Sequence, residues 1–177
     1  MPGGGFSYFL HRGERKGKRL KRKYPDHPII GVGGIVFLDD QVLLIKRGKE
    51  PSLGQWSIPG GVVRTGETLK EAVVREVVEE THLDVEVLAM ANVLDRIFRD
   101  ADGRVAYHYV LVDFICYPKA GELKPDSDAQ DARFIPLTGL SSYSIAQVTL
   151  DAISRADWLR KNPEILNSPA GIGNYYG

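Results

Sequence analysis

The sequence predicts an α+β domain. Three observations carry that prediction. Apolar runs of strand length alternate with Gly, Pro and Asp turn signals, one helix has a marked amino-terminal cap, and a second segment of helical spacing lies near the carboxy terminus. At 177 residues, 43% of them apolar, the chain can bury a sizeable core as one unit, and a single domain is expected over residues 25–166. Residues 1–24 read as a basic, flexible tail and residues 167–177 as a loose carboxy-terminal one.

Residues 11–24, "HRGERKGKRLKRKY", hold eight Lys/Arg against the single acid Glu14, a net of plus seven; the whole chain is neutral, so the remainder is net minus seven. A solvated tail is expected there. Without interleaved aromatics to stack bases, it does not carry a nucleic-acid function. "YPDHP" marks the passage out of it. "IIGVGGIVFL" (29–38) and "QVLLIKR" (41–47) then read as two strands of a hairpin, turned at Asp39 and Asp40. "GKEPSLGQW" is a Gly/Pro loop, and "SIPGGVV" leads through the breakers Pro59, Gly60 and Gly61 towards the first helix.

That helix is predicted from Leu69 to Thr81. Thr68 and Glu71 form a T-x-x-E capping box, which gives partners to two amides that a first turn otherwise leaves unpaired. On a 3.6-residue period Val73, Val74, Val77 and Val78 group for burial, while Glu76, Glu79 and Glu80, at i, i+3 and i+4, share the other side. Ala72, one turn before Glu76, is expected to keep the approach to that side open. Next, "DVEVLAMANVLDRIF" (84–98) and "RVAYHYVLVDFICY" (104–117) read as strands joined by the "RDADG" turn, and "DARFIPL" (131–137) as a short strand. Residues 142–162 have helical spacing, with Ile145, Val148, Leu150, Ile153 and Trp158 as core candidates and Pro163 near the end.

Several classes fall away. No run of 18 apolar residues suggests a membrane span, the amino terminus lacks an uninterrupted apolar signal region, and the chain shows no internal repeat. Cys116, the single cysteine, has no intrachain partner and lies in an apolar run, where an inert buried thiol is expected. A reducing, cytoplasmic setting is expected.

Three glutamates on one helix face repel one another, so that face must hold cations or stay solvated. A surface helix with Glu71 and Arg75 as an i, i+4 pair is the bland alternative, and the preceding loop decides against it. Gly61, Gly66 and Thr68 match the phosphate-binding loop G-x-x-x-x-G-K-[ST] except that Glu67 stands at the lysine position, where it would repel the phosphates. That loop is therefore rejected. Gly61, Glu67, Arg75, Glu76, Val77, Glu79, Glu80 and Leu83 instead resemble the signature of the Nudix hydrolases. Six fixed letters falling in register by composition alone is an event on the order of one in ten million per window. The resemblance runs over residues 28–155, and one letter departs from it: His82 stands where the family has a helix-terminating glycine. Histidine reaches positive φ more readily than most side chains, so a costlier cap is expected, with no metal-binding duty.

The resemblance implies a Nudix-type α/β/α sandwich with a mixed central sheet, and Mg²⁺-dependent hydrolysis of a diphosphate linkage by water attack on phosphorus, with Mn²⁺ able to substitute. It assigns Glu76, Glu79, Glu80 and the Gly60 carbonyl to the metal. It gives Glu67 and Arg75 supporting catalytic roles, and Glu79 a further one as base. Clustered carboxylates supply the oxygen ligands that Mg²⁺ prefers. A further carboxylate is expected from "GELKPDSDAQDARF", with Asp128 favoured over Glu122, Asp126 and Asp131.

The outer segments resemble the ADP-ribose pyrophosphatase-like branch, although Phe98 and Arg99 stand where many of its members carry a proline. A small nucleoside diphosphate derivative is the expected substrate, with Phe98, Tyr107 and Tyr109 to stack a base and Arg96 or Arg99 to meet a phosphate. A nucleoside triphosphate pyrophosphatase and a non-catalytic ligand sensor are the competing readings. A homodimer is the assembly left open.

Overall fold

The computed structural model describes residues 21–50 and 52–166. The carboxy-terminal tail and most of the basic tail therefore lie outside the described residues. Of the latter, residues 21–24 are described, and Tyr24 is held against the domain: its N–H donates to Ala106 O at 2.8 Å and its hydroxyl to Asp100 Oδ2 at 2.9 Å.

The strands are β1 (Ile29–Leu38), β2 (Gln41–Arg47), β3 (Trp56–Ser57), β4 (Gly60–Val62), β5 (Asp84–Arg99), β6 (Val105–Ala120) and β7 (Ala129–Pro136). The helices are α1 (Leu69–Thr81), α2 (Gln147–Lys161) and the single turn α3 (Pro163–Leu166), with a 3-10 turn over Leu137–Ser142. The sheet runs β3-β2-β1-β6-β5, with β4 on β1 and β7 on β2. It is mixed, as expected: β1 and β6 are parallel from Ile29↔Tyr109 to Val36↔Cys116, and the other pairings are antiparallel.

The predicted hairpin of β1 and β2 is real but pairs only at Phe37↔Val42 and Leu38↔Gln41. Its strands diverge because each has a longer partner elsewhere: β1 takes β6 and β4, and β2 takes β7. The near-continuous apolar run of β1 answers to burial on both faces. Val32 and Val36 pack with Val73 and Val77 of α1, whereas Ile35 and Phe37 pack with Ile153 and Leu159 of α2. One helix on each side of the sheet makes the α/β/α sandwich.

Three sequence expectations about the helices are corrected. Val78 is exposed at 41% and Val74 only partly buried, because the apolar stripe of α1 runs through Ala72, Val73, Val77 and Thr81. Ala72 accordingly lies in the core and opens no approach to the glutamates. In α2 the buried stripe is Ala152, Ile153, Ala156 and Leu159, which leaves Trp158 half exposed and Ile145, Val148 and Leu150 at the margin. Small alanines let this helix sit close to the sheet, a contact that the larger side chains would have held off.

Candidate active site

The site begins with the start of α1. Its capping box forms as predicted, with Glu71 N–H donating to Thr68 Oγ1 at 3.2 Å and Thr68 N–H donating to Glu71 Oε2 at 2.8 Å. That fixes the phase of the helix and hence the direction of Arg75, Glu76 and Glu80 towards β4. At the other end His82 takes the left-handed conformation, φ 59°, and its ring lies 2.9 Å from Asp126 Oδ2. It is a surface cap residue, as expected.

Arg75 organises the acidic residues. Its Nε and Nη2 donate to the two oxygens of Glu67 at 2.5 and 3.0 Å, its Nη1 to Glu76 Oε1 at 2.6 Å, and its Nη2 to Val62 O at 3.2 Å. The guanidinium, with the Arg64 N–H, holds the Glu67 carboxyl down to about 2. Arg64 also draws Glu79 away, donating from Nη2 to Glu79 Oε1 at 3.0 Å.

The three signature glutamates are therefore in three different states. Glu79 is partly exposed between two arginines, Glu76 lies under Arg75, and Glu80 is buried at 5% exposure. Residues 76, 79 and 80 span about 100° of the helix, enough to carry Glu80 into the apolar stripe between Val77 and Thr81. Among the described residues, no three His, Cys, Asp or Glu side chains are gathered closely enough to hold a metal ion.

What is gathered is a two-carboxylate cradle against β4. Glu80 Oε2 accepts from Gly60 N–H at 2.9 Å. Burial, with Glu76 adding to it, pushes the Glu80 carboxyl up to about 7 against the opposing pull of that N–H and of Arg47. A Cβ on Gly61 would stand 2.5 Å from both oxygens of Glu76, so only glycine lets the strand lie this close to the carboxylate. Two carboxylates beside a bare strand backbone are the hard oxygen donors that a small divalent cation takes, and a cation would relieve the cost of the buried charge. The residues fit such a group.

The cradle closes one end of a cleft of about 200 Å³. Its mouth carries Arg47, Lys49 and Asp128, with Lys49 and Asp128 paired across it. Leu94, Arg96 and Phe98 of β5 line one part of its wall, and Tyr109, Leu111 and Asp113 of β6 another. Arg96 lies 4.9 Å over the Phe98 ring, and Tyr107 continues the wall outwards, stacked on Tyr109 at 6.4 Å and edge-on to Phe98 at 6.1 Å.

The structure thus brings Gly60, Glu76, Glu80, Asp128, Arg96 and Phe98 to one cleft. Glu67, Arg75 and Glu79 stand behind the cradle, not in its wall. Arg99 is not brought in, since its Nη1 donates to Gly103 O at 3.0 Å in the turn between β5 and β6. Of the other loop acids, Asp126 is taken by His82 and Asp131 by Arg133. Sequence reasoning missed Asp113, Arg47 and Lys49. Asp113 had a usable signal, being the one charged residue inside the apolar run "YVLVDFICY".

A sheet between two helices, with a glutamate-bearing helix turned onto a glycine strand and an open cleft, defines a Nudix-type domain. A family model described as NUDIX domain matches residues 27–159, and the chain belongs to that family. It is 42% identical over 114 residues to an ADP-ribose pyrophosphatase of Methanocaldococcus jannaschii, an alignment covering 64% of this chain and 65% of that protein. It is 34% identical over 132 residues to an 8-oxo-dGDP phosphatase of Homo sapiens, covering 71% of this chain and 38% of the relative. The chain thus spans less than two-thirds of the length of these relatives. Among solved structures it resembles a MutT NUDIX hydrolase from Burkholderia pseudomallei, with a TM-score of 0.65 and 28% identity over 73% of this chain and 98% of the other.

Proposed function

We propose that this protein is a Mg²⁺-dependent hydrolase that cleaves the diphosphate linkage of a nucleoside diphosphate derivative, ADP-ribose or a close relative of it. The observation that carries the reading is the continuity of one cleft between the Glu76/Glu80 cradle and the Arg96/Phe98/Tyr109 wall. Phosphates next to bare carboxylates demand cations, whereas a base demands an aromatic face, and a nucleoside diphosphate has both ends.

Glu76, Glu80 and the Gly60 carbonyl would hold Mg²⁺, with Mn²⁺ able to replace it, and the ion would neutralise phosphate oxygens and supply an acidified water. Glu79, held by Arg64 in this structure, would join that set and would stand as a candidate base. Asp128, released from Lys49, provides the further carboxylate at the mouth. Glu67 and Arg75 are positioning residues that keep Glu76 in place. Phe98 and Tyr109 form the stacking wall, with Tyr107 packed against both rings outside the cleft lining, and Arg96 meets a phosphate or stacks with the base.

The domain is taken as residues 25–166. A cytoplasmic setting is supported by the single buried Cys116 and by the finding that no helix of the described residues is long and apolar enough to cross a membrane. A homodimer is supported by β5, which pairs only with β6 among the described residues and exposes Leu88, Val93 and Ile97. The ADP-ribose relative supports the substrate class.

A substrate panel with Mg²⁺ tests the reading, using ADP-ribose, dinucleotides, 8-oxo-dGDP and nucleoside triphosphates. ADP-ribose is expected to give AMP and ribose phosphate. Pyrophosphate released from triphosphates alone would replace this reading with the triphosphate pyrophosphatase, and no turnover of any member would end it.

A further inference from the structure

The floor of the cleft holds a charge that the reaction described above does not use. Asp113 is 4% exposed and sits on β6 between Val112 and Phe114, both of which face α1. Its own side chain projects to the opposite side of the sheet and lines the cleft. Among the described residues it has no hydrogen-bond or ion-pair partner. Burial alone acts on its acidity, pushing the carboxyl up to about 7.

Among the described residues the one fully buried side-chain atom without a partner is Arg160 Nη2, so the Asp113 carboxyl reaches the cleft, and a ligand that fills the cleft must either bond it or strip it of solvent. Here the backbone is arranged to keep it in place. Gly33 lies opposite Asp113 in the parallel register of β1 and β6, and a Cβ at Gly33 would fall 2.5 Å from Asp113 Oδ1 and 2.6 Å from Ile58 Cδ1. A Cβ at Gly31 would likewise fall 2.8 Å from Leu111 Cδ2. Two glycines thus hollow β1 so that Asp113 and its apolar neighbours Ile58 and Leu111 can form the cleft floor.

The surroundings select the missing partner. A phosphate would be repelled by the carboxylate. A divalent cation needs several oxygen ligands, and Asp113 stands between Ile58 and Leu111 with no second acid beside it. What fits a lone carboxyl in an apolar wall is a flat, largely apolar group presenting an N–H or O–H donor. A nucleoside is such a group.

We infer that Asp113 is a specificity-determining residue that accepts a hydrogen bond from an uncharged donor on the nucleoside part of the substrate, either a base N–H or a ribose hydroxyl. This rests on the proposed nucleoside diphosphate reading of the cleft. Sites built to bond a substrate donor reject analogues that lack it far more strongly than apolar pockets reject a missing methylene, because the buried group is then left unpaired.

The test uses the whole protein, with binding measured by calorimetry with Ca²⁺ in place of Mg²⁺, so that the phosphates keep a counter-cation, and turnover measured separately with Mg²⁺. The probes are ADP-ribose, its 2′-deoxy analogue in the adenosine half, and its purine analogue lacking the 6-amino group. The proteins are the parent, Asp113→Asn and Asp113→Ala, each checked for a single cooperative melting transition. The parent should bind ADP-ribose at least tenfold more tightly than one of the two analogues, which identifies the donor as base or sugar. Asp113→Ala should lose about that factor for ADP-ribose and no longer distinguish that analogue, whereas Asp113→Asn, whose amide oxygen still accepts, should lose less.

Equal affinity of parent and variants would overturn the inference. So would an even loss across all three probes, which marks a structural role, or the absence of binding to the parent. Binding without hydrolysis would end the proposed reaction and still decide Asp113, since the affinity comparison needs no turnover.

Discussion

Two buried carboxylates line one cleft, and their settings differ. Glu80, on α1, is pushed up to about 7 by burial but keeps a donor in Gly60 N–H and the opposing charge of Arg47. Asp113, on β6, is pushed up to about 7 by burial with no partner beside it. The first belongs to a region that is internally balanced, where Arg75 holds Glu67 and Glu76 and Arg64 holds Glu79. The second stands in an apolar wall and, among the described residues, has no partner. Similar acidity therefore arises beside other charges and in an apolar wall, and only the neighbours tell the two apart.

The sharpest way to break the comparison is at α1. In Glu76→Gln/Glu80→Gln, size and helix propensity are kept while the oxygen charges that hold the metal go. Hydrolysis should fall by roughly a thousandfold with Mg²⁺ present, and the rise in melting temperature that Mg²⁺ gives the parent should vanish. Turnover within tenfold of the parent would show that the cations bind elsewhere and that Glu80 is as unengaged as Asp113.

The next effect sharpens the β6 side through stability. The Asp113 carboxyl is raised to about 7 from 3.8, so between these values the folded protein binds more protons than the unfolded one. Stability must then fall as pH rises from about 4 to about 7 and stay flat above, with a total on the order of 2–4 kcal/mol. Asp113→Asn removes that contribution. Urea unfolding in chelator should show variant and parent alike near pH 4, and the variant more stable near pH 8. Parallel curves would mean that Asp113 finds a partner in solution that holds its acidity near the ordinary value.

Arg75 comes third. Arg75→Met keeps the stem but leaves Glu67, Glu76 and Glu79 without their shared cation, and the melting temperature at neutral pH should drop by roughly 5 °C. The Glu67 part of that loss follows its own titration. Its carboxyl is lowered to about 2 from 4.5, so the contribution is present above about 4.5 and lost as pH falls towards 2. The gap between parent and variant should narrow over that window in a thermal scan series. A gap independent of pH would place the cost in packing instead.

The same contrast governs what the sequence made legible. Helix α1 could be read to the residue because its cap, its acids and its stop signal are local chemistry, and three residues that the signature register names, Gly60, Glu76 and Glu80, line the cleft. The misassigned positions depend on what approaches from elsewhere. Val78 is left bare and Ala72 covered by how α1 lies on the sheet, and Trp158 is excluded because α2 packs through alanines. Asp113 and Gly33 meet only through the parallel pairing of β1 with β6, a long-range register that no local pattern in "YVLVDFICY" encodes.

The smallest expected effect lies at the end of α1, where the sequence departs from its family. His82 holds φ 59°, a conformation that costs a side chain with a Cβ about 1 kcal/mol and glycine almost nothing. His82→Gly should therefore gain about that much. It also loses the ring's contact with Asp126 at 2.9 Å, an exposed pair whose loss works against that gain. The two nearly cancel, and thermal unfolding near neutral pH should shift by no more than about 2 °C in either direction. The pair can be separated from the cap. Asp126→Asn weakens the contact with the ring while its amide oxygen can still accept from Ser127 N–H, so it should leave the parent slightly less stable and leave His82→Gly unchanged. Should Asp126→Asn lower both equally, the ring is not its partner in solution, and His82 is tolerated at this position for a reason other than the contact seen here.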